Sequence, residues 1–404
     1  MDVSHPTLDL KSSKGHSLDG RRIVLCVTGS IAAVETVRLA RELIRHGAEV
    51  QGVMSEAARS IIHPWALEYA TGRKVITEIT GCVEHVAFCG QRNGAWDLLL
   101  IAPCTANTIG KIASGIDDTP VTTFATTAIG SKLPVIIVPA MHGSMYDHPI
   151  VKENIKKLES PGIAFIMPKM EEGAAKMPSI EEIVLNVERT LSRSPLRGRK
   201  VLLTSGPNFE PIDPIRVLTS RSTGRMGQEL ALEAFRRGAE VTIVHRSRLG
   251  IRGIREVFAD GFEDMKKAVL EELKNGYDIY ISAAAISDFT VEPAPEKLSS
   301  IGPIDIKLIP TEKLLDRVRH EYPGLFIAAF KAESVGDGEL IRRAVAALER
   351  SKPNMVVANT FGGVRDPEYN DVYIVEPDGR VRHASGKKSQ VAVSIMDAIS
   401  EHFK

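Results

Sequence analysis

Twice along this chain an apolar run stops at a glycine, an amphipathic segment follows, and the next run opens on Gly-Ala-Glu-Val. The first copy runs from Arg22 to Thr28, stops at Gly29 and reaches this tetrapeptide at residues 47–50. The second runs from Lys200 to Ser205, stops at Gly206 and reaches it again at residues 238–241. Short β-branched runs closed by glycine read as buried parallel strands. Between them, Val34, Val37, Ala40, Leu43 and Ile44 share one helical face, with Gly47 as the C-cap. Met226, Leu230, Ala234 and Phe235 do the same in the second copy, closed by Gly238. A β-α-β unit repeated about 190 residues apart is too widely spaced for a solenoid. The pattern predicts an α/β protein of two doubly wound, Rossmann-like domains.

The length of 404 residues agrees, since it exceeds what one ordinary core supports. Glu181 to Leu191 reads as the last helix of the first domain, and Ser192 to Gly198 carries the Pro, Gly and charge of a linker. The expected division is a flexible tail at 1–20, a first domain at 21–195 and a second at 196–404. The tail is polar and has no apolar core of a secretion signal. Lys plus Arg and Asp plus Glu balance at 51 each, which favours neither nucleic acid nor an anionic membrane as partner. The apolar runs are too short to span a bilayer. A cytoplasmic location is expected. All four cysteines precede residue 105, and Cys82, His85 and Cys89 have no fourth ligand nearby, so a metal is not expected there.

Three segments of the first half sit where strands end. Thr28 to Ala33 is a small-residue turn that suits either a phosphate cradle or a plain chain reversal. It lacks the spaced glycines of a dinucleotide fingerprint, which favours a mononucleotide over NAD. Ala102 to Asp118 follows the strand Leu98 to Ile101, and Pro139 to Met145 follows the strand Val135 to Val138. Open α/β sheets bind ligands at such carboxyl ends.

Over residues 21–190 these segments, in this order, resemble the homo-oligomeric flavin-containing cysteine decarboxylases, marked by a GSIAA turn, an APxTANT loop and a PAMNxxM loop. The resemblance implies a flavodoxin-like domain working in trimer-based oligomers. It implies an FMN phosphate at Gly29, Ser30 and Ser55, and a flavin ring along Pro103, Thr105, Ala106 and Asn107. His85 becomes the catalytic base, and His142 and Met145 contact substrate. In the implied chemistry, a thiol offers no electron sink for decarboxylation until a flavin oxidises it to a thioaldehyde. Two departures stand out. His142 replaces the family's Asn, and the flap segment Met167 to Met177 lacks the family's proton-donating Cys. Lys169 or Lys176, with a pKa lowered by desolvation, could replace it, or Cys82 or Cys89. Otherwise these two cysteines read as small buried side chains on one helical face.

The second half contains a proline-rich stretch, Ser205 to Thr219, running into the small-residue turn Ser222 to Gly227. Then come Ser282 to Phe289, Glu296-Lys-Leu298, Ala328 to Glu333 and Val356 to Asn359. Over residues 198–400 this order is similar to the phosphopantothenate–cysteine ligases, with EPIDPIR and AAAxxDF as its specific marks. The resemblance implies amide formation between phosphopantothenate and cysteine after CTP activates the carboxylate, with Mg2+ assisting. Lys297 becomes a catalytic and nucleotide-binding residue, with Ser282, Ala283, Ala284, Asp288, Lys313 and Phe330 around the nucleotide. Ser220 departs from the family's Asn, Lys297-Leu-Ser-Ser300 from its KIKK run, and Ala347 and Ser351 from late lysines, although Arg350 and Lys352 are neighbours. These changes leave CTP or ATP open.

Together the halves resemble the bifunctional coenzyme A biosynthesis enzymes, archaeal-type variants included. Two other readings are a flavin decarboxylase of another cysteine-containing substrate and a non-enzymatic phosphatase regulator. The fused ligase half argues against both, because a ligase of this kind makes the decarboxylase's substrate.

Overall fold

A computed structural model describes residues 5–160, 162–299, 301–360 and 366–404. The chain divides into two compact units, Met1–Leu191 and Ser192–Lys404. In the first, β1 (Arg22–Val27) leads through a 3-10 turn to α1 (Thr36–Arg45) and β2 (Glu49–Met54). Three short helices follow, α2 (Glu56–Arg59), α3 (Pro64–Thr71) and α4 (Glu84–Cys89). Then come β3 (Leu98–Cys104), α5 (Ala106–Ser114), α6 (Pro120–Gly130) and β4 (Val135–Pro139). The unit closes with β5 (Met141–His142), α7 (Gly143–Tyr146), α8 (Pro149–Glu159), β6 (Ala164–Phe165), β7 (Lys169–Glu171), β8 (Ala174–Lys176) and α9 (Ile180–Leu191).

The main sheet is parallel, in the order β2-β1-β3-β4-β6. That is the flavodoxin-like order, whose switch point lies between β1 and β3. Leu98, Leu99, Leu100 and Ile101 are all fully buried, because helices cover both faces of the sheet. Each such side chain stabilises the unit by roughly 1.5–3 kcal/mol relative to exposure.

The second unit runs β9 (Lys200–Ser205), the hairpin β10 (Phe209–Pro211) and β11 (Val217–Thr219), α10 (Arg225–Arg236), β12 (Glu240–His245) and β13 (Ile254–Phe258). It continues with α11 (Phe262–Leu273), β14 (Ile279–Ser282), the paired β15 (Phe289–Thr290) and β16 (Ile309–Pro310), α12 (Leu314–Glu321) and β17 (Phe326–Glu333). The last elements are α13 (Asp337–Ser351), β18 (Met355–Thr360), the hairpin β19 (Tyr369–Val375) and β20 (Val381–Lys387), and α14 (Lys388–Glu401). The eight strands order as β13-β12-β9-β14-β17-β18-β19-β20, the first six parallel and the last two antiparallel. Counted along the chain, the parallel part is the 3-2-1-4-5-6 arrangement of a Rossmann sheet. Two doubly wound domains, the first flavodoxin-like, are therefore present.

Two expectations need correction. The stretch before β1 is not a loose tail where it is described. Residues 1–4 lie outside the described residues, but Pro6–Leu10 forms a 3-10 helix and Leu18 is fully buried in the first unit's core. His5 caps that helix, and the Thr7 hydroxyl donates to the Tyr69 carbonyl at 2.6 Å. The first amphipathic helix also starts later than its periodicity suggests. Val34 lies in the 3-10 turn before α1 and is 49% exposed, because that turn breaks the helical phase. His46 caps α1, and Gly47 follows at φ 104°, a left-handed value that suits glycine.

Candidate active sites

In the first unit three loops meet at the carboxyl ends of the adjacent strands β1, β3 and β4. The Thr28 hydroxyl donates to the Pro103 carbonyl at 2.8 Å, and the Thr105 N–H donates back to that hydroxyl at 3.0 Å. The Ala140 N–H donates to the Cys104 carbonyl at 3.0 Å. One polar chain thus ties the turn after β1 to the loop after β3, and the loop after β4 to the same strand. A Cβ on Gly29 would fall 2.5 Å from the Ala57 Cβ, so the turn is packed where only glycine fits. Ser30 starts the 3-10 turn, and among the described residues its hydroxyl makes no side-chain cap bond. The Ser55 oxygen accepts the Ala58 N–H at 3.3 Å as cap of α2, and its hydroxyl proton remains available. Thr105 caps α5 in the same way, with Ala106 and Asn107 in that helix's first turn. Pro103 is buried and Asn107 exposed.

His85 lies in the first turn of α4, which is held at its start by Glu84 accepting the Thr80 N–H at 3.0 Å. Its Nδ1 is buried and has no hydrogen-bond partner among the described residues. Such an orphan is rare enough to ask for a ligand. His142 lies on β5, where its Nδ1 accepts the Ser144 N–H at 3.4 Å and sits 3.0 Å from the Ser144 hydroxyl. Met145, nearby on α7, is 49% exposed. The flap segment is a hairpin, β7–β8, whose second strand pairs Ala174 and Ala175 with His142 and Met141. The Gly143 N–H donates to the Gly173 carbonyl at 2.8 Å, so flap and loop are clasped together.

This geometry revises the proton-donor candidates. Lys176 donates to Glu172 at 2.5 Å, and that bond raises its pKa where desolvation was expected to lower it. Lys169 is 3.7 Å from Glu182 and half exposed. Burial pushes the Cys89 thiol up to about 12, which makes it a weak acid at neutral pH. Cys82 is exposed and precedes α4, so the two cysteines do not share a buried helical face. Among the described residues no group of three or more His, Cys, Asp or Glu side chains could hold a metal ion.

In the second unit the switch point lies between β9 and β14, and a cavity of about 960 Å³ opens there. Its walls include Ser282, Ala283, Ala284, Asp288, Lys313 and Phe330, so six of the seven expected nucleotide contacts converge. The seventh, Lys297, is exposed and is not part of these walls, and its neighbour Ser300 lies outside the described residues. The turn Ser222–Gly227 lines the cavity at the start of α10, where the Gly224 N–H donates to Ser222 Oγ at 3.3 Å and the Arg225 N–H to Thr223 Oγ1 at 3.4 Å. A Cβ on Gly227 would meet Ser205 at 2.5 Å, which is why helix and strand need a glycine here. The Ala284 N–H donates to Thr204 Oγ1 at 3.3 Å, and the Ala285 N–H to the Gly206 carbonyl at 2.9 Å, fixing the loop after β14 to the turn after β9. Lys313 pairs with Asp288. Asp316 also lines the cavity, and its Oδ1 is buried without a partner among the described residues.

Sequence reasoning missed Lys331 and Lys388 as wall residues, and it named Arg350 only as a neighbour. They arrive from β17, α14 and α13, so only the fold brings them together. Burial lowers the pKa of Lys388, whose Nζ donates to the Pro367 carbonyl at 2.6 Å.

The EPIDPIR segment forms the turn of the β10–β11 hairpin around a buried carboxylate. Asp213 accepts the Ile215 and Arg216 N–H groups at 2.8 Å each, the Arg216 guanidinium at 2.7 Å and the Leu298 N–H at 3.2 Å. Burial opposes its ionisation, but these donors outweigh it and hold the pKa at about 2. The bonds are therefore at full strength above about pH 4 and are lost as pH falls toward 2.

Two family descriptions match the chain. "Flavoprotein" covers residues 11–192, and "DNA/pantothenate metabolism flavoprotein C-terminal domain" covers residues 196–403. The chain is 49% identical over 395 residues to the coenzyme A biosynthesis bifunctional protein CoaBC of Thermococcus kodakarensis, covering 96% of this chain and 97% of that one. It is 39% identical over 415 residues to the protein of the same name from Methanocaldococcus jannaschii, covering 100% and 99%. A crystal structure of the C-terminal domain of a coenzyme A biosynthesis bifunctional protein CoaBC is 26% identical, with a TM-score of 0.44, covering 52% of this chain and 97% of that one. A flavoprotein unit with an orphaned histidine and a Rossmann unit with a nucleotide-sized cavity thus lie on one chain, in the order and over the length of these relatives, and the chain belongs to the family of bifunctional coenzyme A biosynthesis proteins, decarboxylase first and ligase second.

Proposed function

We propose that the second unit joins 4'-phosphopantothenate to cysteine with CTP, and that the first decarboxylates the product, phosphopantothenoylcysteine, to 4'-phosphopantetheine with FMN. The observation that carries this reading is that each unit gathers its motif loops at the switch point of its own sheet.

In the first unit Gly29, Ser30 and Ser55 would hold the FMN phosphate, and Pro103, Thr105, Ala106 and Asn107 would lie along the ring. The packed glycine and the uncapped Ser30 hydroxyl fit this use. When bound, FMN would supply the two-electron acceptor that turns the cysteinyl thiol into a thioaldehyde, the electron sink for loss of carbon dioxide, and would return the same two electrons to the resulting enethiol, so that the overall decarboxylation is redox-neutral. His85 takes the proton of that oxidation at Nδ1, the atom with no competing partner among the described residues. His142, its Nδ1 facing Ser144, keeps an Nε2–H to donate to the substrate carboxylate. Met145 supplies an apolar contact. The likeness of this unit to the homo-oligomeric flavin-containing cysteine decarboxylases supports a homo-oligomer built on it.

In the second unit the turn before α10 receives phosphates, and Ser282, Ala283, Ala284 and Phe330 enclose the nucleoside. Asp288, held by Lys313, contacts the nucleotide, and Asp316, whose buried Oδ1 has no partner among the described residues, is the carboxylate that would face Mg2+. Lys297 neutralises charge as a carboxylate oxygen of phosphopantothenate bonds to the α-phosphorus of the nucleotide and pyrophosphate leaves, after which the cysteine amine attacks the acyl carbon and the nucleoside monophosphate departs. Among the described residues no helix is long and apolar enough to cross a membrane.

Lys297→Gln tests the ligase assignment. Pyrophosphate release falls by about a hundredfold or more, the usual loss for one charge-stabilising group. Supplied phosphopantothenoylcysteine still loses carbon dioxide at the wild-type rate. Undiminished pyrophosphate release would remove Lys297 from the mechanism.

A further inference from the structure

The segment between β15 and β16, residues 291–308, is an excursion with no helix or strand among its described residues. Most of it is exposed, and it carries Lys297. A solvated loop of this kind orders a side chain only if something ties it down. The tie comes from the β10–β11 hairpin, about eighty residues earlier in the chain. At the foot of the excursion the Thr290 hydroxyl donates to Glu210 at 2.8 Å, and Glu210 also accepts the Phe262 N–H at 2.8 Å. Further out, the Ala294 N–H donates to the Ile212 carbonyl at 2.9 Å. At Leu298 both backbone groups are taken. Its N–H donates to Asp213 Oδ2 at 3.2 Å, and its carbonyl accepts from Arg216 Nη1 at 3.1 Å, while the same Nη1 donates to Asp213 Oδ2 at 2.7 Å.

One ion pair thus grips the peptide immediately after Lys297. The Asp213 side chain is fully buried, and all three of its main-chain bonds are charge-assisted, so the grip is stronger than neutral loop contacts. We infer that Asp213 and Arg216 are positioning residues of the ligase reaction, which fix the backbone beside Lys297 so that its ammonium reaches the activated carboxylate. This rests on the proposed role of Lys297. The physical basis is that a catalytic group displaced by about 1 Å loses about a hundredfold in rate. A loose Lys297 would still bind charge on average, but would seldom stand where charge develops.

The test compares wild type with Asp213→Asn and Asp213→Ala in the full chain. It measures ligation kinetics by pyrophosphate release, and amide hydrogen exchange of the peptide spanning 292–299. In Asp213→Asn, kcat falls by about tenfold or more while KM for CTP stays within about twofold, and exchange of that peptide quickens while that of β9 and β14 does not. Asp213→Ala gives the same pattern, larger. Because Asp213→Asn keeps the shape and part of the bonding, it covers the case in which the alanine variant fails to fold. Quickened exchange with unchanged kcat would reduce the clamp to a structural tie, and the inference fails. A KM for CTP that rises as much as kcat falls would mean that the cavity itself was lost, which also overturns it. If Lys297→Gln proves harmless, the reading beneath the inference falls. If Lys297→Gln silences ligation and Asp213→Asn does not, only the inference falls.

Discussion

His85→Asn stops carbon dioxide release from supplied phosphopantothenoylcysteine and leaves pyrophosphate release from the ligase half unchanged. Asparagine keeps a similar volume and a hydrogen-bonding end, so α4 and its packing on α6 survive the change. What is lost is the ring nitrogen placed to accept the substrate's proton, a loss worth about 10²–10⁴-fold in rate for general-base catalysis. The buried Nδ1, without a partner among the described residues, is the reason to place the effect in chemistry and not in folding. Removing a group that makes no internal bond costs the fold little. The ligase is spared because the residues of its cavity all belong to the second unit. A folded variant that decarboxylates at the wild-type rate would remove His85 from the mechanism. One that silences both half-reactions would refute the division of labour.

Gly29→Val yields a protein that binds no flavin. A Cβ at residue 29 would sit 2.5 Å from the Ala57 Cβ and 3.2 Å from the Ala57 carbonyl carbon, and the two methyls of valine crowd the turn further. Ala57 lies in α2, the helix that Ser55 caps, so relief of the clash moves Ser30 and Ser55 apart. Overpacking of this kind costs about 1–3 kcal/mol, which a domain of this size survives. The expected result is a yellow wild-type protein that keeps its visible flavin absorbance through gel filtration and a Gly29→Val variant that elutes colourless with an unchanged far-ultraviolet spectrum. Flavin retained by the variant at the wild-type level would show that the phosphate lies elsewhere.

Much of the architecture could be read from the two β-α-β patterns, because buried parallel strands and their glycine stops are local signals. The burial of Leu18 was not readable, since one leucine in a polar stretch announces nothing until helices pack around it. Val34 misled because helical periodicity continued through a 3-10 turn that rotates the chain out of phase. At the sites, the loops after β1, β3, β4, β9 and β14 were legible as motifs. Their hydrogen-bonded ties were not, nor was the strand pairing of the flap with Met141 and His142. Lys331, Arg350 and Lys388 look like ordinary surface charge in sequence and become cavity residues through topology. The bond from Leu298 to Asp213 spans 85 residues, a separation at which no local pattern carries information.

The most direct test incubates the purified, FMN-loaded chain with phosphopantothenate, cysteine, CTP and Mg2+, and follows pyrophosphate and carbon dioxide in one reaction. The account predicts pyrophosphate from the start, carbon dioxide after a lag while phosphopantothenoylcysteine accumulates, and phosphopantetheine as the final product. Absence of pyrophosphate, or pyrophosphate with no carbon dioxide following, would contradict it.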